Sequence, residues 1–225
     1  MSLALARLLQ LASPALPVGA FSYSQGLEWA IEEGTVRDEA SSLVWIGDLL
    51  EHNHGRFEAP LLARLIDAWS REDLDAIREL NGFYLASRES AELRAETLQM
   101  GYSLVRLLRE LGDFPANKLA ALDVHGEASF PAAWSAAAAA WNIPPEDALT
   151  VWLWTWSENL VMAALKAVPL GQSAGQRILL ALGARLPAIA QSALALEPET
   201  WSNLAPGFAI ASCRHETQYS RLFRS

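Results

Sequence analysis

The sequence predicts an all-α protein, a single-domain helical bundle of about nine or ten helices with a flexible C-terminal tail. Three observations predict it. Apolar residues recur at three- and four-residue steps along most of the chain, and no stretch shows the alternation of a half-buried strand. Helix start and stop signals cut the chain at short intervals. Hydrophobic residues make up 52% of the 225 residues against 19% charged, which suits a packed core rather than a disordered chain. Apart from the run Ala136–Ala140 no low-complexity stretch divides the chain, so residues 1–212 are expected to form one helical domain and 213–225 the tail.

The elements follow in order. Leu3–Ala12 is a helix closed by Ser13-Pro14, and a second runs from about Tyr23 to Glu33 with Gly34 as its stop. Asp38 caps a third, which fades near Asn53-His54-Gly55, after which Pro60 opens a fourth. Ser70 and Asp73 resemble a capping box ahead of Leu74–Leu85. Between Ser90 and Leu111, the residues Leu93, Thr97, Met100, Leu104, Leu107, Leu108 and Leu111 form one apolar stripe, and Gly112 supplies a C′ residue free to enter the left-handed region. Ser129 and Pro131 start a helix that passes through the alanine run to Trp141. Pro144-Pro145 opens a helix bearing Trp152, Trp154 and Trp156 on more than one face, expected to be covered nearly all round at the centre of the bundle. Gly171–Leu196 is a long helix bent or divided at Pro187.

Composition excludes several functions. A net charge of −9, from 17 basic and 26 acidic residues, gives no footprint for a phosphate backbone, so nucleic acid is not an expected partner. Cys213 is the sole cysteine, so no internal disulfide can form. The opening segment is broken by Pro14 and Pro17 and is read as a helix rather than a signal peptide, and Glu158, Asn159 and Lys166 interrupt the apolar run Ala148–Val168, which is read as a buried helix of a cytoplasmic protein rather than a membrane span. The nine tryptophans are read mainly as core filling, with an interface role as the alternative.

No catalytic, cofactor or metal constellation emerges. Gly171-Gln-Ser-Ala-Gly175-Gln-Arg has the wrong glycine spacing for a phosphate loop and lacks its Lys-Ser/Thr, so the chain is expected neither to bind nor to hydrolyse GTP. His52 and His54 diverge on a helix and read as a solvated helix end, and Cys213 with His215 supplies only two possible ligands. Glu89, Glu92 and Glu96, flanked by Arg88 and Arg94, read as an exposed ion-pair network. The last dozen residues differ in kind, interleaving Arg214, Arg221 and Arg224 with Tyr219, Leu222 and Phe223 in the manner of a recognition segment.

The string Leu8-Leu-Gln-Leu-Ala-Ser-Pro-Ala-Leu-Pro-Val-Gly-Ala-Phe-Ser-Tyr-Ser-Gln-Gly-Leu-Glu28 resembles the opening of the urease accessory UreF family. Matches continue through Leu85-Ala-Ser-Arg-Glu-Ser90, Arg94-Ala-Glu-Thr-Leu-Gln-Met-Gly101, Lys166-Ala-Val-Pro-Leu-Gly-Gln-Ser-Ala-Gly-Gln-Arg177 and His215-Glu-Thr-Gln-Tyr-Ser-Arg-Leu-Phe-Arg-Ser225, with Asp113–Ile143 the least family-like part. The resemblance implies a dimerising, all-α adaptor that is not an enzyme. It would bind UreD/UreH, recruit and regulate the GTPase UreG, and act on apo-urease while other members carry the nickel. It also implies that the tail residues His215, Glu216, Tyr219, Arg221, Leu222, Phe223 and Arg224 dock onto UreD/UreH, and that Lys166, Pro169 and Gln172 face UreG. For Lys166 the bland alternative is a lysine that snorkels at the end of the tryptophan helix. The tail is expected to be poorly ordered alone. A competing reading is a helical enzyme whose carboxylate-lined pocket is built from Tyr23, Glu28 and the Ser90 helix.

Overall fold

A computed structural model describes residues 2–124 and 127–225. Helix accounts for 74% of the chain, and the described residues contain no strand. The helices are α1 (Leu3–Ala12), α2 (Leu27–Glu32), α3 (Glu39–Leu49), α4 (Ala59–Arg71), α5 (Leu74–Ala86), α6 (Ala91–Leu111), α7 (Ala116–Val124), α8 (Phe130–Ala140), α9 (Pro145–Ala167), α10 (Gln172–Gly183), α11 (Leu186–Ala195) and α12 (Pro206–His215). A short 3-10 turn occupies Ala20–Ser22, so the second helix begins at Leu27 rather than near Tyr23.

Short polar side chains cap the helix starts. Asp38 and Ser41 form a reciprocal capping box at α3, Ser90 accepts from Leu93 N–H, and Ser129 accepts from Ala132 N–H. At α5 the cap is Asp73 itself, which accepts from Ala76 N–H. Gly112 ends α6 at φ 75°, and the chain turns between α10 and α11 just before Pro187. The segment Gln172–Ala195 is long and apolar enough by composition to cross a membrane, but here it is two helices packed on α3, α4 and α9.

The third helix does not stop near Gly55 as expected. It widens into a π-helix over Leu50–Glu58 and runs on into α4, with Ala59 N–H donating five residues back to His54 O. A Cβ on residue 55 would meet Ile189 Cγ2 at 2.6 Å and Leu50 O at 3.0 Å, so the glycine serves close packing against α11 rather than a left-handed stop. Pro60 has no N–H to give the preceding turn, which removes one α-type bond where the widening ends.

The helix α8 packs on both α4 and α6, and it is more completely enclosed than the tryptophan helix. On α9 one broad face is buried, but Met162 is exposed and Trp154 and Trp156 are only half-buried, so the expected all-round cover is incomplete. Small residues explain the difference, because alanine lets neighbouring helix backbones approach α8 closely. Trp69 and Trp134 are fully buried, and Trp69 Nε1 donates to Ala132 O at 3.1 Å. The start of α8 is pinned by Asn81, whose Oδ1 accepts from Ser129 N–H at 3.0 Å, and by Thr97, which accepts from Phe130 N–H at 3.0 Å.

Gly101 on α6 faces this junction. A Cβ there would stand 2.1 Å from Ala128 O and 2.8 Å from Ser129 C, both main-chain atoms that cannot rotate away. Gly101→Ala is therefore expected to destabilise the fold by about 3 kcal/mol, the upper end of the overpacking range, as read from urea denaturation. A loss below about 0.5 kcal/mol, the size of an ordinary surface substitution, contradicts that packing.

Candidate docking site at the C-terminal segment

The helix α12 runs through His215 and therefore across the expected boundary at 212. Beyond it, Glu216 reaches the start of α6, where its carboxylate accepts from Ala91 N–H at 2.7 Å and complements the positive helix end. The chain then folds back between α2 and α6. Glu28 receives the main chain, Oε1 accepting from Leu222 N–H at 2.7 Å and Oε2 from Phe223 N–H at 3.0 Å. Arg224 N–H donates to Ser22 O at 2.8 Å. The main-chain oxygen of Ser225 accepts from Ser24 N–H at 2.7 Å, Gln25 N–H at 3.0 Å and the Ser24 hydroxyl at 2.6 Å.

Side chains complete the closure. His215 is buried with both ring nitrogens on carboxylates, Nε2 3.2 Å from Glu28 Oε2 and Nδ1 2.6 Å from Glu92 Oε2. Arg221 pairs with the other oxygen of Glu92. The Ser225 hydroxyl donates to Glu96 Oε2 at 2.7 Å. Phe223 sits in a small apolar cluster with Leu27, Ala30, Val36, Ala163, Ala164 and Val168, and Lys166 Nζ lies 5.5 Å from the centre of its ring.

The structure thus corrects the expectation of a flexible tail. The segment has partners on α2, α6 and α9 from Glu216 to Ser225, because Glu28 accepts from its main-chain N–H groups, Glu92 from its cations and Glu96 from the Ser225 hydroxyl. Lys166 is brought against the tail, while Pro169 and Gln172 are exposed beyond the end of α9. Among the tail residues, Tyr219 is 96% exposed and Leu222 71% exposed, so their side chains project outward from an otherwise fastened segment.

A second polar cluster lies beneath this one. The Arg88 and Glu58 side chains are only 5% and 7% exposed and pair at 2.8 Å, and Arg88 stacks over the Tyr84 ring at 4.1 Å. His54 Nδ1 lies 3.0 Å from Glu58 Oε2, at an angle that leaves it without a well-formed hydrogen bond. Burial pushes the Glu58 carboxyl up, but the charges of His54 and Arg88 outweigh it and hold the group down at about 2. His54 is therefore not at a solvated helix end, and Arg88 and Glu96 are not members of an exposed network: the π-helix turns His54 inward, and α6 presents Glu96 to the interior. Sequence spacing could not show this, since Glu58 and Arg88 are thirty residues apart.

The two clusters are joined. Gln25 Nε2 donates to Glu96 Oε1 at 2.7 Å, Trp156 Nε1 donates to Gln25 Oε1 at 2.7 Å, and the Trp156 and His54 rings lie 3.9 Å apart. Tyr23, Glu28 and the carboxylates of the Ser90 helix do converge, as the enzyme reading required. The carboxylate acceptors are taken up by the chain's own tail, with Gln25 on one oxygen of Glu96. A groove of 710 Å³ lies elsewhere, lined by Ala68, Leu80, Phe83 and Trp201 among others.

Fold and site together define an all-α protein whose convergent carboxylates clamp its own C-terminal segment. The sequence profile of the UreF family matches residues 36–183. A urease accessory protein UreF of Dechloromonas aromatica is 61% identical over 224 residues, spanning 99% of this chain and 98% of that one. One from an Azoarcus strain is 62% identical over 228 residues, spanning 99% and 96%. A protein of Bordetella bronchiseptica named bifunctional urease accessory protein UreEF is 51% identical over 224 residues, which is 98% of this chain and 52% of that one. The chain belongs to the UreF family.

Proposed function

We propose that this chain is an adaptor in urease maturation, which binds UreD/UreH through its C-terminal segment and recruits and regulates the GTPase UreG while the urease nickel centre is assembled. It works in the cytoplasm as a homodimer and meets apo-urease within that complex. The observation that carries this reading is the posture of the segment: fastened from Glu216 to Ser225, yet with Tyr219 and Leu222 held out in solvent. An aromatic and an aliphatic side chain on a pre-ordered strip are the anchors that a protein interface uses, and pre-ordering lowers the entropy lost on binding. Lys166 against Phe223 extends the same face toward the loop of Pro169 and Gln172, the side assigned to UreG. The fused relative supports an adaptor role, since nearly half of that chain lies outside the matched part.

The test is co-purification of the full chain with UreD/UreH, and of UreG with that pair. Tyr219→Ala with Leu222→Ala is expected to weaken capture of UreD/UreH at least about thirty-fold, the 2 kcal/mol of an interface hot spot, without altering the thermal midpoint. Undiminished capture by the double variant contradicts the assignment.

A further inference from the structure

The C-terminal segment covers a carboxylate that lacks a cation. Glu28 faces His215, Glu92 faces His215 and Arg221, and Glu58 faces Arg88. Glu96 is as buried as Glu28 and Glu58, and more so than Glu92, yet among the described residues no Lys, Arg or His lies within ion-pair distance of it. Its two oxygens accept from uncharged donors only, Gln25 Nε2 and the Ser225 hydroxyl, both at 2.7 Å. A buried carboxylate held by two neutral hydrogen bonds is expensive to keep ionised.

The surrounding charges do not remedy this. Glu92 stands one turn earlier on the same helix and is engaged by His215 and Arg221, and Glu28 across the segment is a further carboxylate. From the interior, Glu58 raises the carboxyl further while Arg88 lowers it by less. Tyr84 and Tyr23 face the same carboxylate from α5 and from the turn before α2, and Arg224 of the segment sits by Tyr23. Ser225 is itself buried against Glu96, so lifting the segment removes one of the two donors and admits water to the carboxylate.

We propose that docking of residues 216–225 is proton-linked through Glu96, which takes up a proton as Ser225 seals it in and releases that proton as the segment lifts. Burial, the largest influence, pushes this carboxyl up from its ordinary 4.5 to about 7. The sign follows from linkage. A carboxyl raised in the docked state favours docking fully below its ordinary value, and that advantage is lost as pH rises from there through about 7. Near neutral pH the segment is therefore poised between a sealed form and a lifted one. The inference concerns the isolated chain and does not depend on which partner takes the segment.

The experiment is hydrogen exchange of the full chain followed by mass spectrometry, each rate divided by the intrinsic chemical rate at that pH. Leu222, Phe223 and Arg224 report on docking, because their amides donate to Glu28 and Ser22. With the open form titrating at the ordinary value, their protection is expected to fall about thirty-fold from about pH 5.5 to 8.5, while amides of α8 keep theirs. Glu96→Gln mimics the neutral acid and keeps its size, so its protection should stay high and flat with pH. A flat wild-type profile overturns the proposal. So does an equal fall in Glu96→Gln, which assigns the proton elsewhere, or a segment unprotected at every pH, which removes the docked state.

Discussion

Arg88→Met is expected to destabilise the protein by about 3–5 kcal/mol, the cost of leaving a buried charge without its partner. The guanidinium lies beneath the π-helix, 2.8 Å from Glu58 and stacked on Tyr84, and methionine fills the space of its stem without replacing the charge. Glu58 must then either remain ionised beside His54 alone or take up a proton, and both cost free energy at neutral pH. The companion variant decides the mechanism. Arg88→Met combined with Glu58→Gln removes both charges, and it is expected to recover a large part of the loss, because a neutral pair avoids the desolvation that the single variant leaves uncompensated. Urea denaturation of the two single variants and the double variant closes the cycle. If Arg88→Met costs less than about 1 kcal/mol, the pair behaves like an exposed one and the buried network does not hold the π-helix in place.

The same pair has an acid limb. With Glu58 held at about 2 against an ordinary 4.5, its contribution is complete above the ordinary value and is lost as pH falls from there through about 2. Glu96 has the opposite sign and weakens the docked segment as pH rises. The pH of greatest stability should therefore lie between the two transitions.

Phe223→Ala is expected to undock the C-terminal segment. Removing a buried phenylalanine costs about 3–5 kcal/mol when the whole fold must bear it. Phe223 belongs to a small cluster at the edge, with Leu27, Val36 and Val168, and the segment can lift without opening the main core. The loss is therefore capped by the free energy of docking, and it should show as local amide exposure with only a modest fall in thermal midpoint. Capture of UreD/UreH should drop by at least about 2 kcal/mol, since the outward anchors Tyr219 and Leu222 lose their fixed posture. Exchange and co-purification measured on one preparation separate this from general unfolding. Normal capture by a chain whose segment is demonstrably unprotected shows that docking onto the body plays no part in partner binding.

The all-α class, most helix boundaries and the family resemblance were legible in the amino-acid sequence. Asp38, Ser90 and Ser129 cap helices through bonds to residues three positions on, Gly112 closes α6, and Pro187 marks the break between α10 and α11. Such signals act within one helical turn, so a local reading reaches them. Glycine and proline misled where a neighbour overrode them: Gly55 reads as a stop until Ile189 is seen against it, and the helix continues in π form. Neither α7 nor α12 is expected from the sequence reading, although Pro115 and Pro206 stand at their starts. What only the tertiary structure decided is which charges meet. Glu28 and Phe223 are 195 residues apart and Glu96 and Ser225 are 129 apart, so composition showed an arginine-rich end and a run of glutamates but not that one clamps the other. Burial decided the rest, because a glutamate at helical spacing reads as solvated until packing places it under another segment, and its protonation then depends on whether a cation was buried with it.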